Sequence, residues 1–194
     1  MASFHAVATV GQAILGLLTD ACPRSEFPGA GFALYQAKDF QSPMTEGISL
    51  YLHRIVVSTA RRRLPDRIDA SGRRFRPSLP VDLYFLLTAW AQSATLQHHL
   101  LAWAMRALED TPSLPSGLLN RFSARPDTFA PEESVDLALE AVPQQDFLAI
   151  WEVAKHHMQI SATYVARVVP IDSTIELEQA PTAQTRVIGV GSQA

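Results

Sequence analysis

An arginine-dense hinge runs directly into an apolar, β-rich segment between Arg73 and Trp90: Arg-Arg-Phe-Arg-Pro-Ser-Leu-Pro-Val-Asp-Leu-Tyr-Phe-Leu-Leu-Thr-Ala-Trp. Pro77 and Pro80 mark the join. From Val81 to about Trp90 both faces are apolar enough for a central place in a sheet, which commits the chain to building layers on both sides of that strand. A partner strand lies upstream. Gly47 opens the run Ile48–Val57, in which Ile48, Leu50 and Leu52 share one face and Ser49, Tyr51 and His53 the other.

Helical spacing frames these strands. Phe4, Val7, Ala8, Ile14, Leu15 and Leu18 predict a helix over about 3–19 that stops before Pro23. Residues 23–31 are a loop, and a short strand at 32–36 can follow. Leu96, Leu100, Ala104 and Leu108, widened by Leu101, predict a second helix over 94–110, ended by Pro112 and Pro115. The stretch 111–133 lacks a pattern and reads as a surface loop. Ser134–Ala141 alternates, with Val135, Leu137 and Leu139 inward. Pro143 opens a helix carrying Phe147, Ile150, Trp151 and Ala154 on one face. Thr163–Ile171 is a further strand, and Arg186–Val190 a possible terminal one. The order α-β-β-α-β-α-β predicts an α+β (mixed α/β) fold: one domain, 1–172, with a central mixed sheet flanked by helices, and a C-terminal extension, 173–194, whose strand can pair with a partner.

Composition narrows the function classes. At 194 residues the chain can bury a full core, and 18% charged residues leave a slightly dry surface that favours an oligomer. Net charge is −3, but residues 58–80 hold Arg61, Arg62, Arg63, Arg67, Arg73, Arg74 and Arg76 against Asp66 and Asp69. That local +5 leaves about −8 elsewhere, a split suited to a basic loop meeting an acidic surface, another copy included. A single cysteine, Cys22, excludes an internal disulfide and fits synthesis in a reducing cytosol. The apolar run 4–18 lacks a preceding basic residue and is shorter than the roughly 18 residues a membrane span needs, which argues for an amphipathic helix and against a membrane.

The chemistry of a catalytic centre is missing from the sequence. His98-His99 and His156-His157 are adjacent pairs, whereas a helix chelates a metal through i, i+4 spacing. Gly189-Val-Gly191 has no following helix to hold a pyrophosphate. There is no phosphate loop, nucleophile elbow or zinc-protease motif. No cofactor and no enzymatic activity are expected. Guanidinium forks in the loop 61–76 can grip carboxylates or phosphates. With Phe75 alone interleaved, the loop lacks the aromatic platform of a nucleic-acid binder. A nucleic-acid or acidic-ligand binding module working through that loop is the alternative reading.

Four stretches carry a resemblance: Gly47–Arg54 (GISLYLHR), Arg76–Ala89 (RPSLPVDLYFLLTA), Ala107–Leu114 (ALEDTPSL), and Phe147–Trp151 (FLAIW) through Ser161–Tyr164 (SATY). In this order the chain resembles the tail-terminator, or cap, proteins of phage-tail-like contractile injection systems. His53 and Ser78 depart from the family's usual residues, which tend to a leucine or tyrosine before the arginine and a second proline. The resemblance implies a hexameric ring that ends tube and sheath polymerisation, with the tail tube and tail sheath proteins as partners. It implies assembly in the cytoplasm and a final place in a particle that can be released. Candidate contact residues are the seven arginines of 61–76 and, in the tail, Arg186, Val187 and Ile188.

Overall fold

The longest apolar strand organises everything around it. In the computed structural model, which describes residues 4–60, 64–69, 71–125 and 127–177, the elements are α1 (His5–Ala21), β1 (Gly31–Tyr35), β2 (Gly47–Val57), β3 (Arg67–Ile68), β4 (Arg74–Phe75) and β5 (Leu79–Trp90). They continue with α2 (Ala94–Glu109), β6 (Ser113–Pro115), α3 (Ser116–Arg121), β7 (Ser134–Leu139), α4 (Gln144–Trp151) and β8 (Ser161–Ile171). Two 3-10 helices, Ala37–Gln41 and Glu152–His157, complete the set. β5 lies inside a six-stranded sheet ordered β1-β2-β5-β8-β7-β6. β1 runs parallel to β2 and the other pairings are antiparallel, so the sheet is mixed and the α+β expectation holds.

The parallel pairing depends on glycine. Gly31 faces Gly47, whose φ is +143°. A Cβ on Gly47 would stand 2.1 Å from the Gly31 carbonyl oxygen, so a side chain would have to displace backbone. β1 stops after five residues because Gln36 and Asp39 form a capping box that starts the 3-10 helix Ala37–Gln41.

The sheet has two unlike faces. On one, Ile48, Leu50, Leu83, Phe85, Leu87, Tyr164 and Ala166 meet α1, α2 and α3 in the main core. α1 contributes Ala6, Val10, Ala13, Ile14 and Leu18, and Gly16 lets it approach α3, since a Cβ there would overlap the Phe122 ring. α2 is capped by the Ser93 hydroxyl, which accepts from the Leu96 amide at 3.2 Å. Within it Gln97 rather than Leu96 is buried, donating to the Ala89 carbonyl at 2.8 Å and to Gln159 at 2.7 Å. On the opposite face, Phe40, Leu86, Trp90, Trp151 and Ala154 form a smaller cluster, with Tyr35, Tyr51, Phe147 and Ile150 packed around it.

Several expectations change. The segment 111–133 is no surface loop: it holds β6 and α3, and Leu114, Leu119 and Phe129 are buried. Its short elements are held by tertiary contacts such as Asn120, which brackets Phe129 by accepting from its amide and donating to its carbonyl. Leu139, expected inward, is 47% exposed at the end of β7, beyond the pairing of β6 with Ser134–Asp136. The fourth helix stops at Trp151, and Ala154 is non-helical (φ −146°), so the chain continues as a kinked 3-10 turn.

β5 also carries one polar exception. Asp82 is 6% exposed, and its Oδ1 accepts from the Val168 amide at 2.9 Å. Val168 has φ +56°, a left-handed conformation that is strained for a β-branched residue, and the β5–β8 register shifts there. The buried carboxylate holds the bulge.

Candidate assembly surfaces

The arginine-rich stretch folds back on itself. β3 and β4 pair as a small antiparallel hairpin whose turn uses Gly72 at φ +81°. Asp69 organises that turn: its carboxylate accepts from the Ser71 hydroxyl (2.6 Å), the Ser71 and Arg73 amides (2.9 and 3.0 Å) and Arg73 Nε (3.0 Å). The Ser71 hydroxyl foremost, with the Arg73 bonds, holds the Asp69 carboxyl down at about 2.

Three of the four described candidate arginines are engaged internally. Arg73 pairs with Asp69, and Arg74 with Asp66 at 2.6 Å. Arg67 Cζ lies over the Phe75 ring, 4.3 Å from its centroid, and its Nε is 3.6 Å from Asp172. That separation is an ion pair but too long for a hydrogen bond, and Arg67 Nε and one Nη have no hydrogen-bond partner among the described residues. Arg76 is exposed, while its amide donates to the Ile175 carbonyl. Arg61, Arg62 and Arg63 lie outside the described residues, as do Arg186, Val187 and Ile188.

The chain beyond β8 is tied to this hairpin. Asp172 accepts from the Ser78 hydroxyl at 2.6 Å, Glu176 bridges Phe75 in antiparallel sense, and the Leu177 amide donates to the Arg74 carbonyl. Phe75, which looked like a lone aromatic among arginines, is a buried anchor for the hairpin and for the departing tail.

A second surface joins residues far apart in sequence. Under α4, Tyr51, His53, Arg54 and Tyr84 of the aromatic face meet Glu140–Pro143, Asp146, Ile150 and Val153 around a groove of about 610 Å³. Arg54 sits over the Tyr84 ring at 5.4 Å, and Glu140 is held by Arg167 at 3.3 Å. Burial first, then the Arg54 charge, lowers the pKa of His53. The groove offers aromatic faces and a charged rim, the composition of a protein contact. No local motif could have revealed it, because β2, β5, the segment Glu140–Pro143 after β7 and α4 each supply a part.

The other candidate groups stand apart. His98, His99 and His156 are exposed and His157 is half-buried. No group of three or more His, Cys, Asp or Glu able to hold a metal occurs among the described residues. Cys22 is buried, and burial pushes its thiol pKa up, away from a nucleophilic thiolate. No helix among the described residues is long and apolar enough to cross a membrane.

Comparison with known proteins covers nearly all of the chain. The family model described as the Pvc16 N-terminal domain matches residues 9–185. The fold is similar to that of the sheath/tube terminator of an extracellular contractile injection system in its extended state, with a TM-score of 0.67 and 13% identity over 96% of this chain. It is similar also to the tube-terminating cap of the anti-feeding prophage, with a TM-score of 0.55 and 16% identity over 95% of this chain. The chain spans 64% and 60% of the lengths of those two proteins. No curated protein sequence matches.

Proposed function

This chain belongs to the Pvc16 N-terminal domain family, and on that premise we propose that it is a structural tail terminator of a contractile injection system. In this reading it assembles as a hexameric ring on the distal end of the tail, contacts tube and sheath proteins, and stops their polymerisation. It acts by shape and adhesion without catalysis, is put together in the cytoplasm, and ends as part of the particle. The observation that carries the reading is the family match over residues 9–185, supported by a fold shared with two terminators over at least 95% of this chain.

The contact surfaces in this proposal are the basic stretch with Arg61, Arg62, Arg63, Arg67, Arg73, Arg74 and Arg76, and the extension 173–194 with Arg186, Val187 and Ile188. A head-to-tail ring needs two different patches per subunit, and a basic hairpin on a chain that is acidic elsewhere supplies unlike ones. Pairing of Arg67, Arg73 and Arg74 with Asp172, Asp69 and Asp66 reduces the charge left for a polyanion, which weighs against a nucleic-acid module.

Electron microscopy of particles made with the gene deleted and restored tests the function. Tubes of irregular length without the protein, and of uniform length with it, are expected; uniform tubes in its absence refute the reading. Native mass measurement should give six copies. DNA affinity that falls steeply with salt would instead favour the nucleic-acid alternative.

A further inference from the structure

The arginine hairpin is the outward continuation of the two strands at the centre of the sheet. The β5–β8 ladder ends at the pair Leu79–Ile171. One residue further out the Ser78 hydroxyl donates to Asp172, and beyond it Phe75 faces Glu176. The Arg76 amide donates to the Ile175 carbonyl and the Leu177 amide to the Arg74 carbonyl on either side of that pair. β3 lies beside β4 as β2 lies beside β5. The result is a three-stranded flap of β3, β4 and residues 173–177 with a small core of its own. Phe75 is buried yet belongs to neither core cluster of the sheet, and the guanidiniums of Arg67 and Arg73 stand 4.3 and 5.5 Å from its ring centroid. Among the described residues, the ion pair between Arg67 and Asp172 is the one side-chain polar link from β3 or β4 to the sheet end. Its two side chains are 17% and 6% exposed, but at 3.6 Å they share no hydrogen bond. Glu133 lies close enough to Asp172 for the two carboxylates to repel, so the site is acidic once Arg67 leaves.

We infer that this flap opens as one body about Pro77–Ser78 and Asp172–Ser173, with Arg67–Asp172 as its latch, and that its closure withholds basic charge from a carboxylate-bearing protein surface. The inference rests on the reading of the basic stretch as a contact surface. Closed, Arg67 is engaged by Asp172 and Phe75. Opened, the flap carries Arg67 free, and the sheet end carries Asp172 and Glu133 free. One motion thus presents a basic and an acidic patch on the same subunit, the unlike patches that a head-to-tail contact needs. The closed chain cancels them against each other. A largely buried pair without a hydrogen bond holds weakly, because desolvation of both charges offsets much of their attraction, so a competing carboxylate can open it. The β3–β4 ladder, the Asp69 turn and the stacking on Phe75 take nothing from the sheet and travel with the flap.

Spin labels in a Cys22→Ala background test the motion. Ile68→Cys with Gln145→Cys reports the distance from flap to α4, and Ile68→Cys with Ile175→Cys the distance within the flap; all three positions are exposed. Asp172→Asn should lengthen and broaden the first distribution and leave the second unchanged. Arg67→Gln should do the same, and the double variant no more than either. An unchanged distance to α4 in both Asp172→Asn and Asp172→Ala overturns the latch. Broadening within the flap overturns it too, since the unit has then melted instead of swinging. Polyglutamate at low salt probes the withheld charge. Asp172→Asn should bind it about fivefold more tightly than Glu26→Gln, which removes one exposed carboxylate elsewhere. Equal affinities mean that closure withholds nothing. Co-sedimentation of the wild-type chain with tube protein reports separately on the terminator role: tube binding with a fixed flap removes only the latch, and an opening flap without tube binding removes only the terminator.

Discussion

The two faces of the sheet are built from different materials and tied down differently. The helix-covered face is aliphatic and continuous: α1, α2 and α3 lay down Val10, Ile14, Leu18, Leu100, Leu108 and Leu119 over Leu83, Phe85 and Leu87. The opposite face is closed by ring edges. Phe40 stands edge-on to Tyr35, Tyr51 and Trp151 at centroid distances of 5.3–5.7 Å, and Trp90 stands edge-on to Trp151 at 6.5 Å. The 3-10 helix Ala37–Gln41 carries Phe40 and the end of α4 carries Trp151, and next to them the face opens into the groove at His53 and Arg54. A few large aromatics can seal a small patch under irregular cover, because each buries much area and prefers edge contacts. The aliphatic face sets global stability, and the aromatic face is the adjustable one, where chain segments are held locally beside a surface free to meet a partner.

The largest test of this contrast is Phe85→Ala. Phe85 is 1% exposed under α1, so the variant should lose about 3–5 kcal/mol in chemical denaturation, with the whole sheet unfolding together. A loss confined to α1 would break the assignment of global stability to this face. Gly47→Ala should cost about 1–3 kcal/mol from its left-handed backbone alone, with the clash against Gly31 adding to it. Amide exchange should show β1 and the 3-10 helix Ala37–Gln41 opening first.

Within the aromatic face the two indoles should differ. Trp90 Nε1 donates to the buried Ser49 hydroxyl at 2.8 Å, so Trp90→Phe should cost about 1–3 kcal/mol by leaving Ser49 without its donor. Trp151 Nε1 has no hydrogen-bond partner among the described residues, and Trp151→Phe should cost less than Trp90→Phe in the same urea series. Equal losses would show that packing alone decides.

The smallest effect is one of pH. Folding lowers the pKa of His53 below its ordinary 6.5, so between the folded value and 6.5 the unfolded chain binds the extra proton. Stability should therefore fall as pH drops below about 6.5, and His53→Gln should remove that dependence. Thermal unfolding across pH 5–8 measures it. No change in slope would place His53 outside the closed part of the face.

How much of this was legible depends on how local each cause is. β2, β5, α1 and α2 were readable because their apolar residues recur at the period of the element they form, and burial then rewards that element. The short strand at 32–36 was also visible, although its parallel pairing was not. β6 and α3 escaped notice because they are too short for periodicity, and Leu114 and Leu119 matter only once β7 and α1 are beside them. The candidate surfaces divide in the same way. The cluster of arginines is plain in the sequence, but the pairing of Arg67 with Asp172, 105 residues further along the chain, is not.

The amino-acid order by itself settled β2, β5, β7 and β8, the main helices, the charge split and the family resemblance, since each depends on neighbours within a few turns of chain. Folding alone decided which of the described arginines are engaged, that Phe75 anchors the tail, that Asp82 holds a strained Val168, and that a groove opens beside His53 and Arg54. Those outcomes arise where remote segments compete for the same carboxylate, cavity or hydrogen-bonding edge, and only three-dimensional proximity decides such competitions.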